Sequence, residues 1–169
     1  SYQKLLGLIK LKALMIKINV ITNNNKWNLF IKNPNSYIDR KINKYNFKDK
    51  KYQKKNIYCT LLLSRNKEIK NLNKKFRKKN KTTDVLSFPF HKKKELKLIL
   101  SKDKEIYLGD IIVNLDKIKS QKNLQNFKIE FDQLWVHGLI HLLGYDHKKD
   151  KEYSEMSKIE KKFIELINV

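Results

Sequence analysis

Three of the chain's four histidines fall within eleven residues, in the run His137-Gly-Leu-Ile-His141-Leu-Leu-Gly-Tyr-Asp-His147. The stretch from about Phe127 to Leu143 reads as a helix. Phe127, Phe131, Leu134, Gly138 and Leu142 recur at three to four residues, and Leu139 and Ile140 widen the stripe. Histidines four apart on a helix share a face, with Cβ atoms roughly 6 Å apart. Two such imidazoles can converge on one ion at Zn–N distances of about 2.0–2.1 Å. Gly144 is placed to stop the helix with a left-handed cap, and the turn that follows can bring His147 back as a third ligand. Three protein ligands leave a fourth position open, as a catalytic zinc site requires. A structural site would close with a fourth ligand, usually cysteine, and the single Cys59 lies far away in sequence. The remaining histidine, His91, sits in a lysine-rich stretch where a surface role is expected.

The offsets match the zincin-like pattern H-x-x-x-H-x-x-G-x-x-H. In the proteases that carry it, a glutamate general base follows the first histidine. Here that position is Gly138, which argues against peptide hydrolysis.

Around this helix the chain alternates strand-like and helix-like segments. Residues 15–21 alternate like a first strand. Residues 57–63 are almost continuously apolar, which predicts a strand buried on both faces. Residues 83–88 and 106–113 are further strands. Asn33-Pro34-Asn35-Ser36 is a turn and helix start leading into Tyr37–Phe47. Asn66–Lys79 reads as an amphipathic helix with Ile69, Leu72 and Phe76 inward. Asn114 is expected to open a helix through about Gln121, and a last helix runs from about Lys151 to Ile167 with Tyr153, Met156, Ile159/Glu160, Phe163 and Ile167 at helical spacing. Residues 49–55 read as a basic loop and 91–105 as a charged loop or hairpin. The pattern predicts an α+β (α/β-like) fold: a small mixed β-sheet of about four strands packed with about five or six helices, with the metal-bearing helix central. Residues 15–169 form one domain. Residues 1–14 are an N-terminal extension or an alternative start, Met15 being a plausible natural one.

At 40% apolar residues the chain is globular, and no run approaches the roughly 20 apolar residues needed to span a bilayer. Cys59, in the apolar run 57–63, is expected to be buried and inert. The net charge of +22 favours polyanionic partners, nucleic acid first. That signal is diluted: only Arg40, Arg65 and Arg77 are arginines among 39 basic residues, and abundant Lys, Asn and Ile suit an A- and T-rich genome. Lysines among Leu and Ile at 4–18 could also be read as a targeting peptide or a membrane-surface helix.

The histidine run resembles the signature of the YbeY family of bacterial rRNA-maturation endoribonucleases. Thr83-Asp84-Val85-Leu86-Ser87-Phe88-Pro89 and Leu108-Gly109-Asp110-Ile111 resemble that family's second and third motifs, in the family's order. Leu72-Asn73 to Phe76-Arg77 resembles the segment that carries its functional arginine. The resemblance spans residues 15–167. It implies one Zn²⁺ per chain on His137, His141 and His147, with Arg77 and His137 as catalytic residues. A guanidinium matches the oxygens of a phosphate as a planar fork, which lysine cannot do. The resemblance further implies cleavage of single-stranded RNA, small-subunit rRNA 3′-end maturation and ribosome quality control. A cytoplasmic location without stable membrane association follows, with ribosomal RNA in the small subunit, a small-subunit ribosomal protein and an Era-type GTPase as partners. A non-catalytic zinc-containing RNA-binding assembly factor is the alternative, and a zincin-like protease a distant second. Four roles stay open at this level. Asp146 either orients a ligand histidine or caps the next helix. Asp110 is structural or lines a cleft. Ser87 and Thr83 contact phosphate or satisfy local backbone.

Overall fold

The computed structural model describes residues 14–48 and 55–169. The extension expected over 1–14, apart from Leu14, and the basic loop expected over 49–55, apart from Lys55, lie outside the described residues. Strands β1 (Leu14–Thr22), β2 (Lys55–Ser64), β3 (Val85–Pro89) and β4 (Glu105–Asn114) form one sheet in the order β1-β2-β4-β3. β2 runs parallel to β1 and to β4, and β3 lies antiparallel against β4. Among the described residues five α-helices accompany the sheet: α1 (Pro34–Lys48), α2 (Asn66–Arg77), α3 (Lys93–Lys102), α4 (Leu124–Leu142) and α5 (Asp150–Ile167). This is the α+β fold that the sequence predicts, with a mixed four-stranded sheet and a central helix.

Side chains alternate across the sheet. Ile16, Ile18 and Val20 of β1, Ile57, Cys59, Leu61 and Leu63 of β2, and Ile111 and Val113 of β4 all enter the main core. The opposite face is only partly covered. There Leu62, Leu86, Phe88 and Ile112 meet Ile69 and Leu72 of α2 in a small second core. β2 is therefore buried on one face and half-covered on the other, against the expectation of burial on both: Tyr58, Thr60 and Leu62 retain partial exposure.

α4 packs on β3 and β4 on one side and on α5 on the other. Phe127, Phe131, Trp135, Val136, Leu139 and Ile140 are all fully buried. Trp135 and Val136 lie off the stripe read from periodicity, because a helix enclosed on most sides is apolar on most sides. Its N-terminus is capped by Asn123, whose side-chain oxygen accepts from the N–H groups of Gln125 and Asn126, both at 3.0 Å. The one carboxylate in its buried stretch, Asp132, is fully engaged. It accepts from Tyr37 Oη at 3.0 and 3.1 Å and from Trp135 Nε1 at 2.9 Å, and pairs with Lys41 at 3.1 Å. A buried charge is tolerated when paired and hydrogen-bonded in this way.

Several local expectations need correcting. Residues 93–102 form a helix, not a loop or hairpin. Leu96, Ile99 and Leu100 stand at helical spacing and pack on the core, and the Glu95 carboxylate accepts from Lys92 N–H at 3.3 Å to cap the first turn. The helix expected over 114–121 is only a single 3-10 turn, Leu115–Lys117. Side chains take the backbone groups beyond it: Gln121 Nε2 donates to the carbonyls of Leu115 and Ile118, and Glu130 accepts from the N–H groups of Lys119 and Ser120. Phe76 and Tyr153 are not inward. They are 60% and 64% exposed, and the buried residues on α2 are Ile69 and Asn73.

Candidate metal centre

The final two turns of α4 present His137 and His141, whose Nε2 atoms stand 3.1 Å apart. Two nitrogens that share a tetrahedral ion at about 2.05 Å each would be roughly 3.3 Å apart, so the pair is close to ligating geometry. Each ring is held through its other nitrogen. His137 Nδ1 is 2.7 Å from Glu160 Oε1 of α5, and His141 Nδ1 is 2.9 Å from the Tyr145 carbonyl oxygen. Both acceptors favour a proton on Nδ1 and so free Nε2 as the donor to a metal.

Gly144 follows, at φ +93, a conformation that L side chains rarely adopt. Its N–H donates to the His141 carbonyl, and the Tyr145 N–H donates to that of Ile140. The chain reverses there and brings His147 back. The three imidazoles lie 4.6, 5.0 and 5.7 Å apart by ring centroid, and one nitrogen from each falls within 4.8 Å of the others. Asp146 does not cap the next helix, whose N-cap is Lys149. Its carboxylate accepts from the His147 backbone N–H at 2.8 Å and pairs with Lys148 at 3.6 Å, so it fixes the turn that carries His147. Burial pushes the His141 ring below the ordinary histidine value, and His137 beside it adds to the shift while the Tyr145 carbonyl opposes it. The lowered value keeps this imidazole neutral, as ligation requires. Three converging imidazoles with one side open to the cleft fit a zinc-type ion.

Gly138 points away from the histidines, into the sheet. A Cβ there would stand 2.5 Å from Ile111 Cγ2 of β4 and 3.2 Å from Ser87 Oγ. Ser87 Oγ also donates to the Gly138 carbonyl at 3.1 Å. The position that carries the base in zincin-type proteases is thus a packing contact between α4 and the sheet. Ser87 is accounted for by the same contact, its hydroxyl being spent on backbone.

The histidines open into a cleft of about 840 Å³ between α4, β3 and α3, with basic walls that include Arg77, Lys79, His91, Lys93 and Lys148. Arg77 ends α2 and reaches across to β3. Its Nη2 donates to the Ser87 carbonyl at 2.7 Å, and its guanidinium lies 5.5 Å from the centre of the Phe88 ring. Beyond it Lys78 turns in the left-handed region at φ 57, and buried Asn73 holds the turn by donating to the Lys81 carbonyl at 2.8 Å. His91 is a wall of the cleft and not a remote surface residue. Thr83 and Asp84 line it too, with the Asp84 carboxylate accepting from Val85 N–H at 2.8 Å.

Asp110 lies elsewhere. It sits on the half-covered face of the sheet, where it accepts from Tyr107 Oη. The neighbouring Gly109 explains that motif: at φ +129, a Cβ on it would lie 2.1 Å from the Phe88 carbonyl oxygen, so only glycine lets β3 pass this closely. Glu160 is the contributor that the residue pattern did not single out. Its signal was a carboxylate on the apolar stripe of α5, between Met156 and Phe163.

A profile of endoribonuclease YbeY matches residues 20–168. The chain belongs to the YbeY family. It is 43% identical over 148 residues to endoribonuclease YbeY of Pelagibacter ubique, a match covering 86% of this chain and 92% of that one. The YbeY of Ehrlichia canis is 35% identical over 157 residues, covering 92% of this chain and 94% of the relative. The solution structure of a Thermotoga maritima protein aligns with a TM-score of 0.52 at 25% identity, covering 89% of each chain. Endoribonuclease is therefore the coarse activity of the family, and no helix among the described residues is long and apolar enough to cross a membrane.

Proposed function

We propose that the chain is a zinc-dependent endoribonuclease that hydrolyses single-stranded RNA, and that it works in small-subunit rRNA 3′-end maturation and ribosome quality control. The observation that carries this reading is the convergence of three histidines in the wall of a basic cleft. The ion would supply Lewis acidity, activating water near neutral pH and polarising a phosphoryl oxygen.

The protein's own groups do the rest. His137, His141 and His147 hold the ion, the first two through Nε2 atoms already aimed by Glu160 and the Tyr145 carbonyl. Arg77 spends one N–H on the Ser87 carbonyl and keeps its other donors for a phosphate, where a fixed guanidinium stabilises charge as it develops. Lys79, Lys93 and Lys148 line the same cleft and would attract the RNA backbone in a salt-dependent way. Gly138 offers no general base and no room for one, which counts against the protease reading. Ribosomal RNA in the small subunit, a small-subunit ribosomal protein and an Era-type GTPase are the proposed partners, and the cytoplasm the proposed location.

The test is cleavage of an unstructured RNA by purified protein beside Arg77→Ala and His137→Ala. Arg77→Ala is expected to lose about 100-fold or more in kcat while keeping its zinc, and His137→Ala to lose both. Equal cleavage by all three proteins would refute the assignment.

A further inference from the structure

The cleft does not end at the metal centre. A second groove, of about 500 Å³, opens on the other side of His137, between α4 and α5. Asp84, Val85 and His137 line both spaces, so His137 stands at their junction. Gln133 and Leu134 of α4 and Ser157, Lys161 and Ile164 of α5 form the walls of this second space. Gln133 lies one turn before His137 on α4, and Ser157, Lys161 and Ile164 repeat along one face of α5.

The chemistry of these walls differs from that of the basic cleft. The half-buried Val85, Leu134 and Ile164 give an apolar floor. An amide, a hydroxyl and an ammonium group rise around it, on Gln133, Ser157 and Lys161. All three are exposed, and none has a hydrogen-bond or ion-pair partner among the described residues. The two carboxylates at the junction are already engaged: Glu160 with His137 and Asp84 with the Val85 N–H. An apolar surface with a few free polar groups is the general composition of a small-ligand site, and the volume falls in the usual range of roughly 300–1,000 Å³. A base or ribose can pack on the floor, the amide and hydroxyl can meet a base edge, and the ammonium can meet a phosphate.

We propose that this groove is a second nucleotide-binding arm, so that one RNA strand crosses His137 with nucleotides held on both sides of the scissile phosphate. The proposal rests on the ribonuclease reading and deepens it. An enzyme that cuts within a strand needs room on both sides of the cut, and a cleft closed at the metal would suit a chain end instead.

The experiment is a length series. Binding of fluorescein-labelled 2′-O-methyl phosphorothioate oligouridylates, from the dinucleotide to the octanucleotide, is measured by anisotropy on the zinc-loaded protein. Cleavage of the matching unmodified oligouridylates is followed in parallel. In the unsubstituted protein, affinity is expected to keep rising with length after the basic cleft is filled. Gln133→Ala, Ser157→Ala and Lys161→Ala combined should stop that rise early, with the octanucleotide bound about tenfold more weakly and the dinucleotide within about twofold. Lys161→Ala alone should lower the salt slope of octanucleotide binding by about one phosphate contact. Zinc content and thermal midpoint serve as folding controls. An unchanged length profile in the triple variant overturns the second arm, and so does a loss that is equal at every length. Absence of cleavage by the unsubstituted protein instead sinks the ribonuclease reading, and the binding series still scores the groove.

Discussion

Glu160 Oε1 stands 2.7 Å from His137 Nδ1, which ties the C-terminal helix to the first of the three converging histidines. A carboxylate in that position fixes both tautomer and ring direction, and loss of such a partner typically costs 10–100-fold in metal affinity. Glu160→Ala should therefore weaken zinc binding by about 10–100-fold, read by competition with a chromogenic chelator. Glu160→Gln keeps an acceptor oxygen and should fall between the two. Equal zinc affinity in all three proteins would show that the contact does not position His137.

Gly138 should tolerate no side chain. A Cβ 2.5 Å from Ile111 Cγ2 forces either α4 or the sheet to move, and overpacking of this kind costs about 1–3 kcal/mol. Gly138→Ala should lower the urea midpoint accordingly, despite the better helix propensity of alanine. Gly138→Glu, which restores the protease pattern in sequence, should gain no casein hydrolysis. A stable, peptide-cleaving Gly138→Glu variant would contradict the packing account.

The Arg65–Asp116 pair should make stability fall in acid. Arg65 Nε and Nη2 both donate to Asp116 Oδ1, and the Asn66 N–H donates to Oδ2 at 2.9 Å. Burial raises the Asp116 value, but the Arg65 hydrogen bonds, the Asn66 N–H and the Arg65 charge together bring it below the ordinary carboxylate range. A carboxyl group lowered in the folded state adds stability above its unfolded value, and that stability is lost as the pH drops through the folded one. Urea midpoints taken from neutral pH down to about pH 3 should thus fall less steeply for Asp116→Asn, which should also start lower at neutral pH. Parallel curves for the two proteins would argue that the pair adds nothing.

Cys59 should be silent in the folded protein. Burial pushes its thiol up to about 12, and the Asp110 carboxylate adds to the shift. A colorimetric disulfide reagent at neutral pH should label no thiol until the chain unfolds, and then one per chain. Prompt labelling of the native protein would mean that the β2 face is open to solvent.

Much of this was legible in the residues, for identifiable reasons. The three histidines announce themselves because helix spacing and one left-handed glycine determine where their rings can go. The strands of the sheet show through alternation in β1 and apolar runs in β2 and β4. α3 was hidden by its lysines: Lys93, Lys94 and Lys97 made a solvated loop as plausible as a helix, and only packing of Leu96 against the core settles it. The 3-10 turn after Asn114 was misread because the side chains that replace its helix, Gln121 and Glu130, act from six and fifteen residues beyond Leu115. Glu160 was placed on the apolar stripe of α5, as Ile159/Glu160, but its part in the site was not read, since its partner His137 comes beside it only when α4 packs on α5. Gly138 was the opposite case. Its sequence position excluded a base, and the structure adds that no base could fit.

The most direct measurement is titration of zinc into metal-stripped protein with cleavage of an unstructured RNA as the readout. Activity should be absent at the start, rise in proportion to added zinc and level off at one equivalent per chain. His147→Ala, which removes the most exposed ligand, should need a large excess of zinc for any recovery. Full activity in the stripped protein, or recovery by His147→Ala at the same single equivalent, would contradict the claim that these three histidines hold the metal that cuts RNA.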